Sequence, residues 1–336
     1  MDSLTQVVLG STVAALAVPA QHRRKALVAG AVLGTLPDLD SVPISLLSND
    51  PVAHMVMHRG ASHSLLVLPL VGLVIWYLLR RFWTPVREAP GAWLAAILLA
   101  LVTHPLLDAF TVYGTQLLWP LPPSPVMWSS LWIIDPLYTL PLLAGVLVAA
   151  VWGPSVSARR WLWVGVMLSS AYLLWSLIGK VMVERQADIA LQPLGLREAP
   201  RFSVPMPLNT LLWQVVVMTP QGYLVGEHSL IADRKPIQFR SYPSDTAALE
   251  SARQTVPALQ RLLWFNHGFM KASVDPEGRL VVADLRMGQE PDYVFQFAVA
   301  RRQGDTWEAI LPEQVPTNMQ IKEQLPAIWA RIFREP

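Results

Sequence analysis

The sequence has no cysteine among its 336 residues, and only 15% of them are Asp, Glu, Lys or Arg. Without Cys, disulfides, thiolate metal sites and cysteine nucleophiles are all excluded, so any metal or nucleophile chemistry must use nitrogen and oxygen donors. A soluble domain carries about a quarter charged residues. The shortfall, with 53% hydrophobic residues and a mean hydropathy of +0.37, argues against an ordinary cytosolic enzyme. There is also no basic stripe, which sets nucleic acid aside as a partner.

The few charges are unevenly spread. Residues 1–180 hold 10 Lys and Arg against 7 Asp and Glu, whereas 181–336 hold 16 against 17. This contrast divides the chain into a helical transmembrane domain (1–183), a linker (184–200) containing Pro193, Gly195 and Pro200, and a soluble α+β domain (201–336). Apolar runs at 64–80, 91–107, 131–152 and 160–180 predict four spans. Two shorter runs, 4–20 and 25–37, predict an N-terminal helical hairpin around the basic turn His22-Arg23-Arg24-Lys25, and Ser3 to Gln6 has capping-box spacing. No basic region precedes the first run, which argues against a cleaved signal peptide.

One set of connections carries Arg23, Arg24, Lys25, Arg80, Arg81, Arg87, Arg159 and Arg160, and the opposite set carries Arg59 alone. Eight against one places the first set in the cytoplasm. In a bacterium, the other loops and the C-terminal domain then face the periplasm, with the chain in the inner membrane. Trp76, Trp83, Trp93, Trp152, Trp161 and Trp163 fall near the predicted span ends, as an aromatic belt would. In the C-terminal part, 210–218, 221–228, 279–286 and 292–300 read as strands, and 245–264 and 318–334 as helices. No catalytic motif stands out there.

Ionisable residues at membrane depth are costly and mark function. On this topology every Asp of the first 180 residues, together with His54, His58, His63 and His104, maps to the outer side. Taken singly, each motif also has a plain structural explanation. Asp38 and Asp40 in Pro37-Asp38-Leu39-Asp40 suit a helix-ending turn, and Asp135 before Pro136 suits a helix cap. His58 and His63 flank Gly60 in a loop that either folds back on an ion or does not. His104 and Asp108, four apart, share a helix face, as metal ligands or as a buried hydrogen-bonded pair. Their convergence on one side favours a metal. Imidazole and carboxylate without thiolate suit Zn²⁺, with Mn²⁺ or Fe as alternatives. His22, His54, Asp50, His228 and His267 are read as surface or packing residues.

These motifs carry a resemblance. Met1 to Gln6, Gly34 to Asp40, His58 to Ser64, and His104 to Asp108 with Thr111 and Tyr113-Gly114 resemble the YdjM-like family over about residues 1–140. The resemblance implies an inner-membrane helical domain with metal-dependent hydrolase chemistry, distantly similar in its His/Asp set to zinc-dependent phospholipase C. Many relatives have His where this chain has Gln6, which bears on a second metal.

The expected function is therefore a membrane-embedded hydrolase of a lipid or lipid-linked phosphoester, acting by metal-activated water. His58, His63, His104 and Asp108 are the expected ligands, with Asp38 or Asp40 bridging or completing a second ion. Asp135 or the spare carboxylate of Asp38/Asp40 is the expected base, and Arg59 the holder of an anionic group. The bilayer is one expected partner, and a periplasmic protein bound by the C-terminal domain another. Competing readings are a cation transporter or sensor and a non-catalytic scaffold with a structural metal. A Ser–His hydrolase through Ser62 or Ser64 lacks the G-x-S-x-G elbow.

Overall fold

The computed structural model describes residues 1–317 and 321–335. Its helices, in chain order, are α1 (Ser3–Ala17), α2 (Arg23–Thr35), α3 (Ser41–Leu47), α4 (Pro51–Met57), α5 (Leu68–Phe82), α6 (Thr84–Glu88), α7 (Pro90–Asp108), α8 (Pro136–Trp152), α9 (Val156–Leu191), α10 (Thr246–Ala252), α11 (Pro257–Phe265) and α12 (Ile321–Ile332). The chain forms two compact units. The first comprises 1–43, 58–128 and 133–176, and the second 44–57, 129–132 and 177–336.

Among the described residues, three stretches are long and apolar enough to cross a membrane: Ala20–Leu47, Pro90–Asp108 and Val156–Leu194. The bent pair Pro51–His63 and Leu68–Phe82 makes a fourth if it counts as one span, while α1 and α8 are shorter apolar helices. Three to four candidate spans followed by a β-rich part fit a membrane domain and a soluble α+β domain.

The helices approach closely because glycines line their contacts. A Cβ on Gly10 would run into the Gly30 carbonyl, one on Gly30 into the Gly10 carbonyl, and one on Gly34 into the Gln6 carbonyl. Gly145 and Gly165 do the same for α8 against α9. Among lipid tails, burial offers no drive for helix association, so close backbone packing supplies it. Around these contacts Leu33, Leu68, Ile97, Ala100 and Leu101 form one core cluster. A second includes Ala14, Ala26, Trp93, Ala158 and Leu162. Outward apolar residues such as Leu70, Val74 and Tyr77 of α5 and Met167 and Leu174 of α9 stay exposed, as lipid contact requires.

The basic turn also has a packing role. Arg23 is buried and donates through Nη1 to the carbonyls of Gly153 and Ser155, both at 2.9 Å, while Arg24 Nε donates to Ala150 O at 3.0 Å. Ala150 and Gly153 lie at the C-terminal end of α8, where the helix dipole also favours a cation, and Ser155 lies just before α9. The cap of α1 is Asp2 rather than Ser3. Its carboxylate accepts from Thr5 N at 3.1 Å and from Thr5 Oγ1 at 2.5 Å. Gln6 is thereby released for another partner.

The second unit holds two antiparallel four-stranded sheets and a small hairpin. The first sheet, in spatial order, is β1 (Arg201–Pro205), β2 (Leu212–Thr219), β3 (Gly222–Ser229) and β4 (Phe239–Pro243). The second runs from β10 (Thr306–Gln314) through β9 (Gln296–Gln303) and β6 (Arg279–Asp284) to β5 (Met270–Val274). The hairpin pairs β7 (Gly288–Gln289) with β8 (Asp292–Tyr293). The segment expected to be a linker is helical as far as Leu191, because no Pro or Gly interrupts it between Lys180 and Gln192. Val183, Ala187 and Leu191 pack on Trp213, Val215 and Val217, and Gly195 then ends the turn in the left-handed region. Arg201 ties back to Glu184 at 2.9 Å and Asp188 at 2.6 Å.

Two expected elements are divided. The helix over 245–264 breaks before Pro257, whose missing N–H and steric demand leave Val256 extended. The strand over 292–300 is two pieces, with Asp292 and Tyr293 belonging to the β7–β8 hairpin. The start of the expected C-terminal helix, at 318–320, lies outside the described residues; α12 runs from Ile321.

A side chain at Gly30 must push α1 and α2 apart. Gly30→Leu is expected to destabilise the first unit by about 1–3 kcal/mol or more, read as a lower thermal midpoint in detergent. An unchanged midpoint would show that this contact does not hold the unit together.

Candidate metal centre

Three segments of the first unit meet at the centre. The first follows α2 directly: Leu36–Asp40 is a tight 3₁₀ turn carrying Asp38 and Asp40. At about three residues per turn, side chains two apart diverge, so the two carboxylates point different ways. The second is the turn from His58 to His63, and the third is the last turn of α7, where His104 and Asp108 lie four apart.

The turn at Arg59 is under backbone strain, with φ of +62° at a residue that is not glycine. It is held from several sides. Arg59 N donates to Asp40 Oδ2 at 3.1 Å, and Gln116 N donates to Arg59 O at 3.0 Å. Its Nη1 donates to Thr111 Oγ1 at 3.1 Å, and the guanidinium lies 4.8 Å from the centroid of the Tyr113 ring. Arg59 Nε is 3.2 Å from Asp108 Oδ2, an ion pair without a directed hydrogen bond.

Asp38 Oδ1, His63 Nε2, His104 Nε2 and Asp108 Oδ2 form the centre. His63 Nε2 and His104 Nε2 are 3.1 Å apart, and each is 3.4 Å from Asp38 Oδ1. Asp108 Oδ2 is 3.2 Å from His63 Nε2 and 3.5 Å from His104 Nε2. A tetrahedral ion with ligand bonds of about 2.0 Å has ligand–ligand edges of about 3.3 Å. Five of the six edges of this tetrahedron are thus close to the value zinc requires.

The hydrogen-bond pattern also fits a cation. His104 Nδ1 lies 2.6 Å from the Gly34 carbonyl and donates to it, leaving Nε2 with a lone pair. His63 Nδ1 lies 2.9 Å from Ser62 Oγ, which itself donates to Asp40 Oδ2 at 2.5 Å. That order of donors makes His63 Nε2 a lone pair as well. Asp108 is fully buried, and its Oδ2 receives no hydrogen bond. Lone pairs facing one another this closely in a buried space repel unless a cation lies between them.

The other oxygen of Asp108 is fully occupied. Oδ1 accepts from the α-amino group of Met1 and from Gln6 Nε2 at 2.9 Å. Gln6 Nε2 also reaches the carbonyl of His104 at 3.3 Å. Gln6 therefore acts here as a donor that orients a carboxylate of the cluster. The sequence spacing hid this role, because residue 6 and residue 108 meet only through the packing of α1 on α7.

Several expected site residues lie elsewhere. His58 and Asp40 stand outside the four, paired with each other through His58 Nδ1 and Asp40 Oδ1 at 2.7 Å. Arg59 is buried against Asp108 rather than presented to an incoming anion. Asp135 is a helix cap: it accepts from Leu137 N at 3.1 Å and Tyr138 N at 3.4 Å, and from the Tyr172 hydroxyl at 2.9 Å. Asp50 likewise caps α4 through Val52 N and Ala53 N and pairs with Arg261 at 2.5 Å.

The model of the family described as YdjM inner membrane protein matches residues 1–183, the part that contains every residue of the centre. The chain belongs to the YdjM family. Membership and the apolar helices together give a membrane location. The chain is also 26% identical over 270 residues to the Uncharacterized protein YfhP of Bacillus subtilis (strain 168), covering 76% of each. No solved structure matches.

Metal content of detergent-purified protein checks the centre. His63→Ala and Asp108→Asn are expected to remove the bound divalent ion, and His58→Ala to keep it. Ser62→Ala, which frees the His63 ring, is expected to weaken metal affinity by about 10–100-fold. Full metal content in His63→Ala would remove that residue from the ligand set.

Proposed function

We propose that this YdjM-family protein is a membrane-embedded metal-dependent hydrolase acting on an ester, first a phosphoester, of a lipid or lipid-linked substrate. The observation that carries the reading is the His58–Asp40 pair beside the four-ligand cluster. His58 donates from Nδ1 to Asp40 at 2.7 Å, and its side chain is 26% exposed while His63 and His104 are buried. A carboxylate-oriented imidazole with an open Nε2, next to buried ligands, has the form of a general base.

Asp38, His63, His104 and Asp108 would hold the divalent ion, most simply Zn²⁺. When bound, the ion supplies Lewis acidity and brings a water's pKa towards neutrality. The chain's own residues do the rest. Gly34 O and Ser62 fix the two ligand imidazoles. Gln6 and the Met1 amine fix Asp108, and Arg59 offsets part of its charge. His58 Nε2 takes a proton, and Asp40 stabilises the imidazolium that results. Asp38, at 23% side-chain exposure against 0–1% for the other three, marks the side from which substrate enters.

The charge bias of the connections supports a finer topology of four spans plus the α1–α2 hairpin. The cluster and the C-terminal domain then lie on the outer, periplasmic side of the inner membrane. A site at the ends of spans is within reach of a headgroup, which favours a lipid substrate drawn from the bilayer itself. The C-terminal domain is free to meet a periplasmic partner.

A second reading has its own observation. Four protein ligands close a tetrahedron, as structural zinc sites do, whereas catalytic sites keep a position open. On that reading the ion holds α2, the 58–63 turn and α7 together, and the protein is a scaffold.

Turnover separates the two. Zinc-replete protein in mixed micelles is expected to hydrolyse a phosphodiester or phosphomonoester lipid. His58→Gln should lower kcat by about 10²–10⁴-fold with metal retained. If metal-replete wild type turns over none of a panel of lipid esters, the structural reading stands instead.

A further inference from the structure

The second unit contains a polar cleft of about 310 Å³, a volume at the small-ligand end of binding sites. Its origin lies in strand alternation. Along β2, Trp213, Val215 and Val217 face the end of α9, so the intervening Gln214 faces the other way. Register places Gln214 directly opposite Glu227 of β3, and Tyr223 opposite Tyr242 of the edge strand β4. Arg240, two residues before Tyr242, shares its face. Across from this face, the β7–β8 hairpin supplies Gln289 and Glu290.

The lining is built rather than incidental. Gln214 is 2% exposed, and its Oε1 has no hydrogen-bond partner. Glu290 is fixed from behind by Lys271 Nζ at 2.8 Å and by the hydroxyl of Tyr223. Among the described residues, Glu227 has long contacts, with Gln289 Nε2 at 3.4 Å and Arg331 Nε at 3.7 Å. Arg331 is itself committed to Asp233, through two bonds of 2.8 and 2.6 Å. Arg240 makes no ion pair among the described residues. Tyr242 stacks one ring face on Tyr223, with centroids 5.6 Å apart at 23°.

These groups select among ligand classes. A phosphorylated ligand would meet the carboxylates of Glu227 and Glu290. An apolar ligand would strip water from amides, carboxylates and a guanidinium without replacing their hydrogen bonds. A ligand rich in hydroxyls offers donors to Gln214 Oε1, Glu227 and Glu290, and acceptors to Arg240 and Gln289. Its ring C–H face can lie on an aromatic ring such as Tyr242. We propose that this cleft binds a saccharide, with Gln214, Glu227, Arg240 and Gln289 holding its hydroxyls and Tyr242 its ring. The C-terminal domain would then dock the enzyme on, or select, a glycan-bearing molecule.

The test uses the full chain in lauryldimethylamine oxide, a detergent without a sugar headgroup. Maltose, cellobiose and N,N′-diacetylchitobiose are titrated by saturation-transfer NMR and calorimetry, with tetra-alanine as the peptide control. At least one disaccharide is expected to bind saturably with a Kd of about 1 mM or tighter. Gln214→Leu and Arg240→Ala should each weaken it by about tenfold. Metal content, read on the same samples, should not change, so the result is independent of the hydrolase assignment. Arg240 is exposed on an edge strand and its replacement spares the core, which keeps the test usable if Gln214→Leu misfolds. Saturable binding by none of the three sugars would overturn the proposal. So would binding unaffected in Arg240→Ala, or saturable binding of tetra-alanine in their place.

Discussion

Asp108 is a fully buried carboxylate at the end of an apolar helix, and the membrane unit is arranged around its charge. Leaving such a group uncompensated costs several kcal/mol. Its two oxygens are treated differently. Oδ1 receives the Met1 amine and Gln6, while Oδ2 receives no hydrogen bond and faces two imidazole nitrogens. Arg59 offsets part of the charge without directing an N–H at Oδ2. The carboxylate is therefore held rigidly by one oxygen and kept free to ligate by the other, which is how outer hydrogen bonds commonly orient a metal ligand.

The same constraint accounts for the close packing of α1 and α2. His104 needs the Gly34 carbonyl for its Nδ1, and Gln6 must reach Asp108 from α1. Both contacts require α1, α2 and α7 to converge at their ends. Gly10, Gly30 and Gly34 permit this by removing side chains where backbones meet. The strained turn at Arg59 has a related purpose. It brings His63 into the cluster and turns His58 aside to Asp40; on the proposed function, this separates a ligand imidazole from one that moves a proton.

Much of this was legible in the sequence. Apolar runs bounded by Pro, Gly and basic turns located the helices, and the four-residue spacing of His104 and Asp108 put them on one face. The convergence of Asp38 and His63 on that face followed from topology. What spacing left open was which carboxylate and which imidazole come together in the cluster, because the 3₁₀ turn that sends Asp38 inward and Asp40 to His58 is a local tightening of the helix end. Asp135 before Pro136 suits a helix cap, and its carboxylate accepts from two adjacent backbone N–H groups as a cap does. In the C-terminal unit, β1, β4, β5 and β10 lie outside the expected strands: β1, β4 and β5 are only five residues long with polar residues among them, and β10 is mostly exposed and contains Pro312. The helix break at Pro257 was readable, since a proline in mid-helix removes a donor and forces the preceding residue out of the helix.

The central claim is that Asp38, His63, His104 and Asp108 together would hold one divalent ion. Cobalt substitution tests it most directly, because tetrahedral and octahedral Co²⁺ differ strongly in the intensity of their visible absorption. The account predicts one equivalent of Co²⁺ with the intense bands of a four- or five-coordinate site, lost in His63→Ala. A weak, octahedral-type spectrum, or intense bands that persist in His63→Ala, would contradict it.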